Sequence, residues 1–297
     1  MTHEEAFIQA MREAPNDDAP RLIYADWLEE HGQADRAEFI RVQCRLARGT
    51  GTASEQAGLR ARAEGLLREH WNEWVGPLRA LVGPWRDRYG ERWLGEEYHP
   101  EGLHRFRRGF VDALTLDAAN FLRNVTPLKR LVPLRELRLW GAGRCADRLA
   151  GEPYLASLSV LSFTDYYDAP LTASDAAALA DSPYLHGLSA LYLGRNSLGD
   201  DGVEALARAP WLEHVHVLDL SDNGLSDRAL HALADSPYVV NLRKLFLQNN
   251  YFSSAGIAVL RSSLHLRFLT HLEHGPVIQH GPVSSRNVFL LGESERP

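Results

Sequence analysis

Only two cysteines occur in the 297 residues, Cys44 and Cys145, and they fall in different parts of the chain. Such a pair is no disulfide framework and suits a reducing compartment, so a cytoplasmic location is expected. Lysine is almost missing as well, since Lys129 and Lys244 are the only two among 32 basic residues. A bias that broad reflects the base composition of the coding sequence rather than bidentate contacts at one site. A positive surplus is also absent. The formal net charge is -7, with 16 basic and 19 acidic residues up to Phe110 and 16 basic and 20 acidic beyond it. Neither part is a basic module, which argues against nucleic acid as the partner. No apolar run reaches the length a bilayer demands, and Met1-Thr-His-Glu-Glu lacks the basic and apolar regions of an export signal. No membrane association is expected.

The motifs of common chemistry are missing too. There is no Walker-type loop, no nucleophile elbow and no pair of closely spaced cysteines. Gly141-Ala-Gly-Arg-Cys-Ala146 mimics a dinucleotide fingerprint, but that motif needs a βαβ unit with an acidic residue at the end of its second strand. Here glycines are expected anyway, because the segment sits at a turn. His265, His271, His274 and His280 gather near the C-terminus without ligand spacing for zinc; on a strand, His271 and Glu273 would face one way and His274 the other. The sequence therefore points to no catalytic residue, no cofactor and no metal.

What is there is a repeat. Leu-x-x-Leu-x-Leu occurs at Leu134/Leu137/Leu139, Leu188/Leu191/Leu193 and Leu242/Leu245/Leu247. The middle leucines Leu137, Leu161, Leu191, Leu218, Leu245 and Leu272 follow at steps of 24, 30, 27, 27 and 27. A fixed period in this range marks a solenoid whose units bury their apolar faces against neighbours. Val111 to Leu116 is expected to supply a first strand, giving about seven. Asn196, Asn223 and Asn250 share one register and are placed to bond the turning backbone. A helix follows each turn. Asp200-Asp201, Ser226-Asp227 and Ser253-Ser254 are expected as cap and first-turn residues, and Val203/Leu206, Leu230/Leu233 and Ile257/Leu260 as inward pairs. Pro153, Pro183, Pro210 and Pro237, each followed by an aromatic, end the units.

The first fifty residues read as helices. Thr2 and Glu5 have capping-box spacing, Pro15 closes the first helix, Pro20 opens a second that ends at His31-Gly32, and a third runs through Glu38 to Leu46. Asp26, Glu29 and Glu30 beside Trp27 read as a solvated face. A further helix is expected from Ala53 to Trp74. Trp71, Trp74, Trp85 and Trp93 read as an apolar plug between these helices and the first repeat. The run Arg105-Phe-Arg-Arg108 beside this junction has the composition to grip a phosphate, but it reads as an exposed face balanced by nearby acids.

Two resemblances follow from these residues. Asp18-Ala-Pro-Arg-Leu-Ile-Tyr-Ala-Asp-Trp-Leu-Glu-Glu-His-Gly32, with Arg36-Ala-Glu-Phe-Ile-Arg-Val-Gln43, resembles the bacterial repeat-companion domain best known from planctomycete proteins. That domain often precedes leucine-rich repeats and carries no established biochemical role. Units of 27 to 30 residues with an outer helix resemble the ribonuclease-inhibitor class of leucine-rich repeats over Val111 to Gly275. Phe163-Thr-Asp-Tyr-Tyr departs from that pattern. The resemblances imply an α/β leucine-rich-repeat horseshoe (111–275) behind a helical companion domain (1–50), with a cap or linker (51–110) and a C-terminal cap or tail (276–297).

In such a horseshoe the strands line the concave face. One outward column reads Thr115, Arg138, Ser162, Tyr192, Asp219, Phe246 and Glu273. The next reads Asp117, Trp140, Thr164, Gly194, Ser221, Gln248 and Gly275. Aromatics and arginine are enriched at binding hot spots. Arg138, Trp140, Tyr192, Asp219, Phe246, Gln248 and Glu273 are therefore the expected contacts to a protein partner, with no catalysis. The alternative is a regulator that inhibits or activates an enzyme such as a nuclease or a GTPase, which ribonuclease-inhibitor-type repeats also resemble.

Overall fold

The computed structural model describes residues 2–82, 106–163 and 169–276. Trp85, Trp93, Arg105, residues 164–167, His280 and the tail from residue 277 lie outside them.

Four helices come first. α1 (His3–Glu13) starts at the expected capping box, with the Glu5 N–H donating to Thr2 Oγ1 at 3.2 Å and the Thr2 N–H to the Glu5 carboxylate at 3.0 Å. α2 (Ala19–Glu30) holds Pro20 in its first turn, where no intrahelical bond is lost, and the chain leaves through Gly32 at φ +80°. α3 (Ala34–Arg48) ends at left-handed Gly49. α4 (Ala53–Val82) runs on past the expected end at Trp74, with Pro77 inside it. Trp71, Val75 and Leu78 are buried along one side, and this burial outweighs the bond that Pro77 removes.

A hairpin then intervenes that the sequence pattern did not announce. β1 (Phe106–Arg107) pairs antiparallel with β2 (Phe110–Val111). Arg108 and Gly109 turn it at φ +52° and +89°, the positive values that match the twist of a two-residue hairpin. Val111 thus belongs to this hairpin, and the first strand of the repeats is β3 (Ala113–Asp117). Gly109 also allows close contact, because a Cβ there would lie 2.6 Å from Ile40 Cγ1.

β4 (Glu136–Trp140), β5 (Val160–Phe163), β6 (Ala190–Tyr192), β7 (Val217–Asp219), β8 (Lys244–Phe246) and β9 (His271–Glu273) follow β3 in a parallel sheet, in chain order. The register pairs Leu114, Leu137, Leu161, Leu191, Leu218, Leu245 and Leu272 in one row. All but Leu272, on the edge strand, are buried, as are Leu116, Leu139, Phe163 and Leu193 two residues further on. Between the strands lie α5 (Ala118–Leu131), α6 (Ala146–Ala150), α7 (Ala173–Ala180), α8 (Gly199–Leu206), α9 (Asp227–Asp235) and α10 (Ser254–Ser262), each packed on the next. The three expected inward pairs are all buried.

Side-chain ladders fasten successive units. Asn250 Oδ1 accepts from the Asn223 and Leu225 N–H groups at 3.0 Å each, and its Nδ2 donates to Leu220 O and Leu247 O at 3.0 and 2.9 Å. Asn196 and Asn223 repeat the arrangement, and Arg195, Asp222 and Asn249 before them all take positive φ. Ser226 and Ser253 cap α9 and α10 as expected. Asp200 and Asp201 lie in the first turn of α8 as expected, although no side chain caps that helix at Leu198. The Asp200 carboxylate instead reaches the next unit, accepting from the Ser226 N–H and Oγ at 2.8 and 2.6 Å. Asp227 does the same for Ser253.

A third ladder ends the units. Ser182, Ser236 and Ser263 donate to Ala150 O, Ala207 O and Ala234 O, carbonyls at the C-terminal ends of the preceding helices. Alanine stands at this register in one unit, Ala209, and there Trp211 Nε1 takes over, donating to Ala180 O at 3.0 Å. Pro153 and Pro210 open short 3-10 turns, which makes them starts of the return path as well as stops.

The helical region shares its core with the repeats. Leu66, Leu67, Trp71 and Leu78 of α4 form one apolar cluster with Leu114 and Phe121, while Ile8, Met11, Tyr24, Leu28 and Ile40 enclose a smaller one with Phe110. Arg36 crosses between them. Its guanidinium donates to Gly109 O at 2.7 Å and lies 4.7 Å from the Trp74 ring and 5.3 Å from that of Phe110. Burial brings its pKa down to about 10. Trp71 and Trp74 are thus packing residues of this junction.

Candidate functional site

Because alternate residues of a strand point to opposite faces, burying the leucines against the helices turns the residues between them the other way. Strand pairing places Thr115, Arg138, Ser162, Tyr192, Asp219, Phe246 and Glu273 in one unbroken row across the sheet. Asp117 and Trp140 start the second row. A third row, Ala113, Glu136, Val160, Ala190, Val217, Lys244 and His271, is set by the same pairings and was overlooked in the sequence, although it lies one residue before each middle leucine.

The rows are not equally open. Arg138 and Glu273 are exposed, Trp140, Tyr192, Asp219, Phe246 and Gln248 are half-buried, and Ser162 is buried although it faces outward. Ser162 is short and stands between Arg138 and Tyr192 in the row. Gly194 is buried for a related reason, since a Cβ there would come 2.8 Å from Ser221 Oγ and 3.1 Å from Asp219 Oδ2.

The face divides into three chemical zones. At its N-terminal end Arg138 is held by Glu136, with Nε to Oε1 at 2.6 Å, near Trp140. In the middle Tyr192 lies among Val160, Ala190 and Val217. Burial pushes the Tyr192 hydroxyl above its usual pKa; Glu136 and Asp219 add to this and Arg138 opposes it. Asp219 is anchored, because its Oδ1 accepts from Ser221 N–H and Oγ at 2.9 and 2.6 Å. At the C-terminal end Phe246 packs on His271 at 5.2 Å between ring centres, and His271 Nε2 is 3.6 Å from Glu273 Oε2. Gln248 Oε1 is a buried acceptor with no donor.

The segments weighed for other chemistry fall elsewhere. Gly143 belongs to a 3-10 turn, its N–H donates to Ala169 O at 3.1 Å, and a Cβ would sit 2.6 Å from Pro170 O. Its glycine permits close approach of the next unit. His274 bonds Gly275 O at 2.7 Å, apart from the His271–Glu273 contact. Among the described residues no group of three His, Cys, Asp or Glu side chains is placed to hold a metal ion. No helix among them is long and apolar enough to cross a membrane. Arg41 bonds Asp26 and Glu29 at 2.7 and 2.6 Å on the outer surface of α2, while Trp27 stacks on His31 at 4.0 Å.

The chain matches no protein-family model and no curated protein in sequence. Among solved structures it is similar to an internalin from Listeria monocytogenes, at 18% identity and a TM-score of 0.32. The match covers 61% of this chain and spans 58% of the internalin's length. The leucine-rich-repeat character of the chain rests on its own strand register and ladders: it is an α/β repeat fold with one parallel sheet backed by helices.

Proposed function

We propose that this chain is a non-catalytic recognition protein that binds a protein partner across the strand-lined, concave face of a leucine-rich-repeat horseshoe. One observation carries the reading. The sheet register sets Arg138, Tyr192, Asp219, Phe246 and Glu273 in a single row on the face opposite the helices, with Trp140 and Gln248 two residues beyond Arg138 and Phe246 in the chain. Half-buried aromatics between exposed charges have the composition of a hot-spot surface, and they are held by strands rather than loops, so little ordering opposes binding. The unmet Gln248 acceptor favours a partner that brings an N–H donor to the C-terminal zone.

The helical region 1–50, read as a companion-type domain, and the segment 51–110 serve in this reading as the cap of the first repeat. The core shared by α4 and α5 supports that role. A cytoplasmic setting is supported by Cys44 and Cys145, which are both buried and unpaired. The test is quantitative affinity capture with the full chain and with a Tyr192→Ala/Phe246→Ala variant. The variant should lose the wild-type partner while its circular dichroism is unchanged; retention of the same partner at the same yield excludes this face.

A further inference from the structure

A second site stands where the helical region meets the repeats. Arg21 of α2, Arg48 at the end of α3, Arg107 and Arg108 of the hairpin, and Arg135 before β4 converge there. Among the described residues the carboxylates facing them are those of Asp18 and Asp112, with Glu136, already paired to Arg138, beyond Asp112. Asp18 is fully engaged, taking Arg108 Nε on one oxygen at 2.7 Å and Arg48 Nε on the other at 2.8 Å. Asp112 is 4.0 Å from Arg107, and burial raises its pKa despite the arginines around it. Asp17 turns away to the Ala19 N–H at 2.9 Å. Positive charge is therefore in excess in a half-buried place, where like charges repel strongly.

Two guanidinium groups have unused donors in this cluster. Arg21 is 3% exposed; one of its nitrogens donates to Asp17 O at 2.8 Å, but its Nε has no partner. Arg108 Nη1 is likewise buried and unmet. Arg135, close enough to Arg107 and Arg108 to feel both, donates Nη1 to the Asn16 side chain at 2.8 Å. Unmet buried donors on crowded cations are costly, and a small anion relieves both costs at once.

We propose that Arg21, Arg108 and Arg135 form a site for a tetrahedral oxyanion of the phosphate class, free or carried on a small molecule. Arg108 is the central ligand, because it neighbours both of the others. The Asp18 carboxylate at 2.7 Å from its Nε fixes the direction of its side chain. A bound phosphate would tie α2, the hairpin and the start of β4 together, and so join the helical region to the repeats.

The probe is inorganic phosphate added to the full chain, followed by calorimetric titration and by thermal unfolding against chloride at equal ionic strength. Saturable binding with a rise in Tm is expected. Arg108→Gln and, as the milder change, Arg135→Gln should each weaken it about tenfold or more. Arg261→Gln, on exposed α10, should leave it unchanged. Equal effects of phosphate and chloride, or unaltered affinity in both cluster variants, would overturn the proposal. Neither result bears on Tyr192 and Phe246, the residues that test the sheet face, which lie on β6 and β8 away from the cluster.

Discussion

Replacing Asn250 by alanine should destabilise the repeats by about 2–6 kcal/mol. The side chain is 8% exposed, and its loss strands the Asn223 and Leu225 N–H groups together with the Leu220 and Leu247 carbonyls. Each stranded buried N–H costs about 1–3 kcal/mol, which is where the range comes from. Against a typical domain stability of about 5–15 kcal/mol this is a large fraction. Asn241→Ala is the control, because Asn241 is exposed and its side chain donates to Glu213 O at 2.8 Å. Urea unfolding followed by circular dichroism gives both values, and hydrogen exchange at the Asn223 and Leu225 amides locates the damage. A loss for Asn250→Ala no larger than for Asn241→Ala would refute the ladder as a source of stability.

Two further outcomes follow from the same geometry. Trp211→Phe should cost about 1–2 kcal/mol by leaving Ala180 O unmet, and adding Ala209→Ser should recover much of that by restoring the hydroxyl found at Ser182, Ser236 and Ser263. No recovery in urea unfolding counts against the proposed equivalence. His70, flanked by Glu73 Oε2 at 3.0 Å and Asp35 Oδ2 at 3.1 Å, has its pKa raised chiefly by Glu73. A raised folded pKa adds stability that is fully present below the unfolded value and fades as pH rises through the folded one. The Tm advantage of wild type over His70→Gln should therefore shrink from acidic to mildly alkaline pH; an advantage that grows would contradict it.

The repeat was readable because each unit must bury the same positions, so the period of the middle leucines is also the register of the sheet. Ser162 shows the limit of that reading, since its direction follows from alternation but its burial is set by neighbours from other parts of the chain. The hairpin escaped notice because each of its strands has two residues, too few for a period. Trp211 looked like one more aromatic after proline; its role appears only when Ala209 is set beside the serines of the other units. The arginine cluster draws on α2, α3, the hairpin and the approach to β4, which are far apart in the chain. No local pattern gathers them.

The sheet face is tested most directly by hydroxyl-radical footprinting of the chain alone and with its captured partner. Trp140, Tyr192 and Phe246 should become protected, while Tyr251 and Phe268, exposed and outside the rows, keep their reactivity. Protection of Tyr251 or Phe268 with undiminished labelling of Tyr192 and Phe246 would place recognition on another surface and contradict the account.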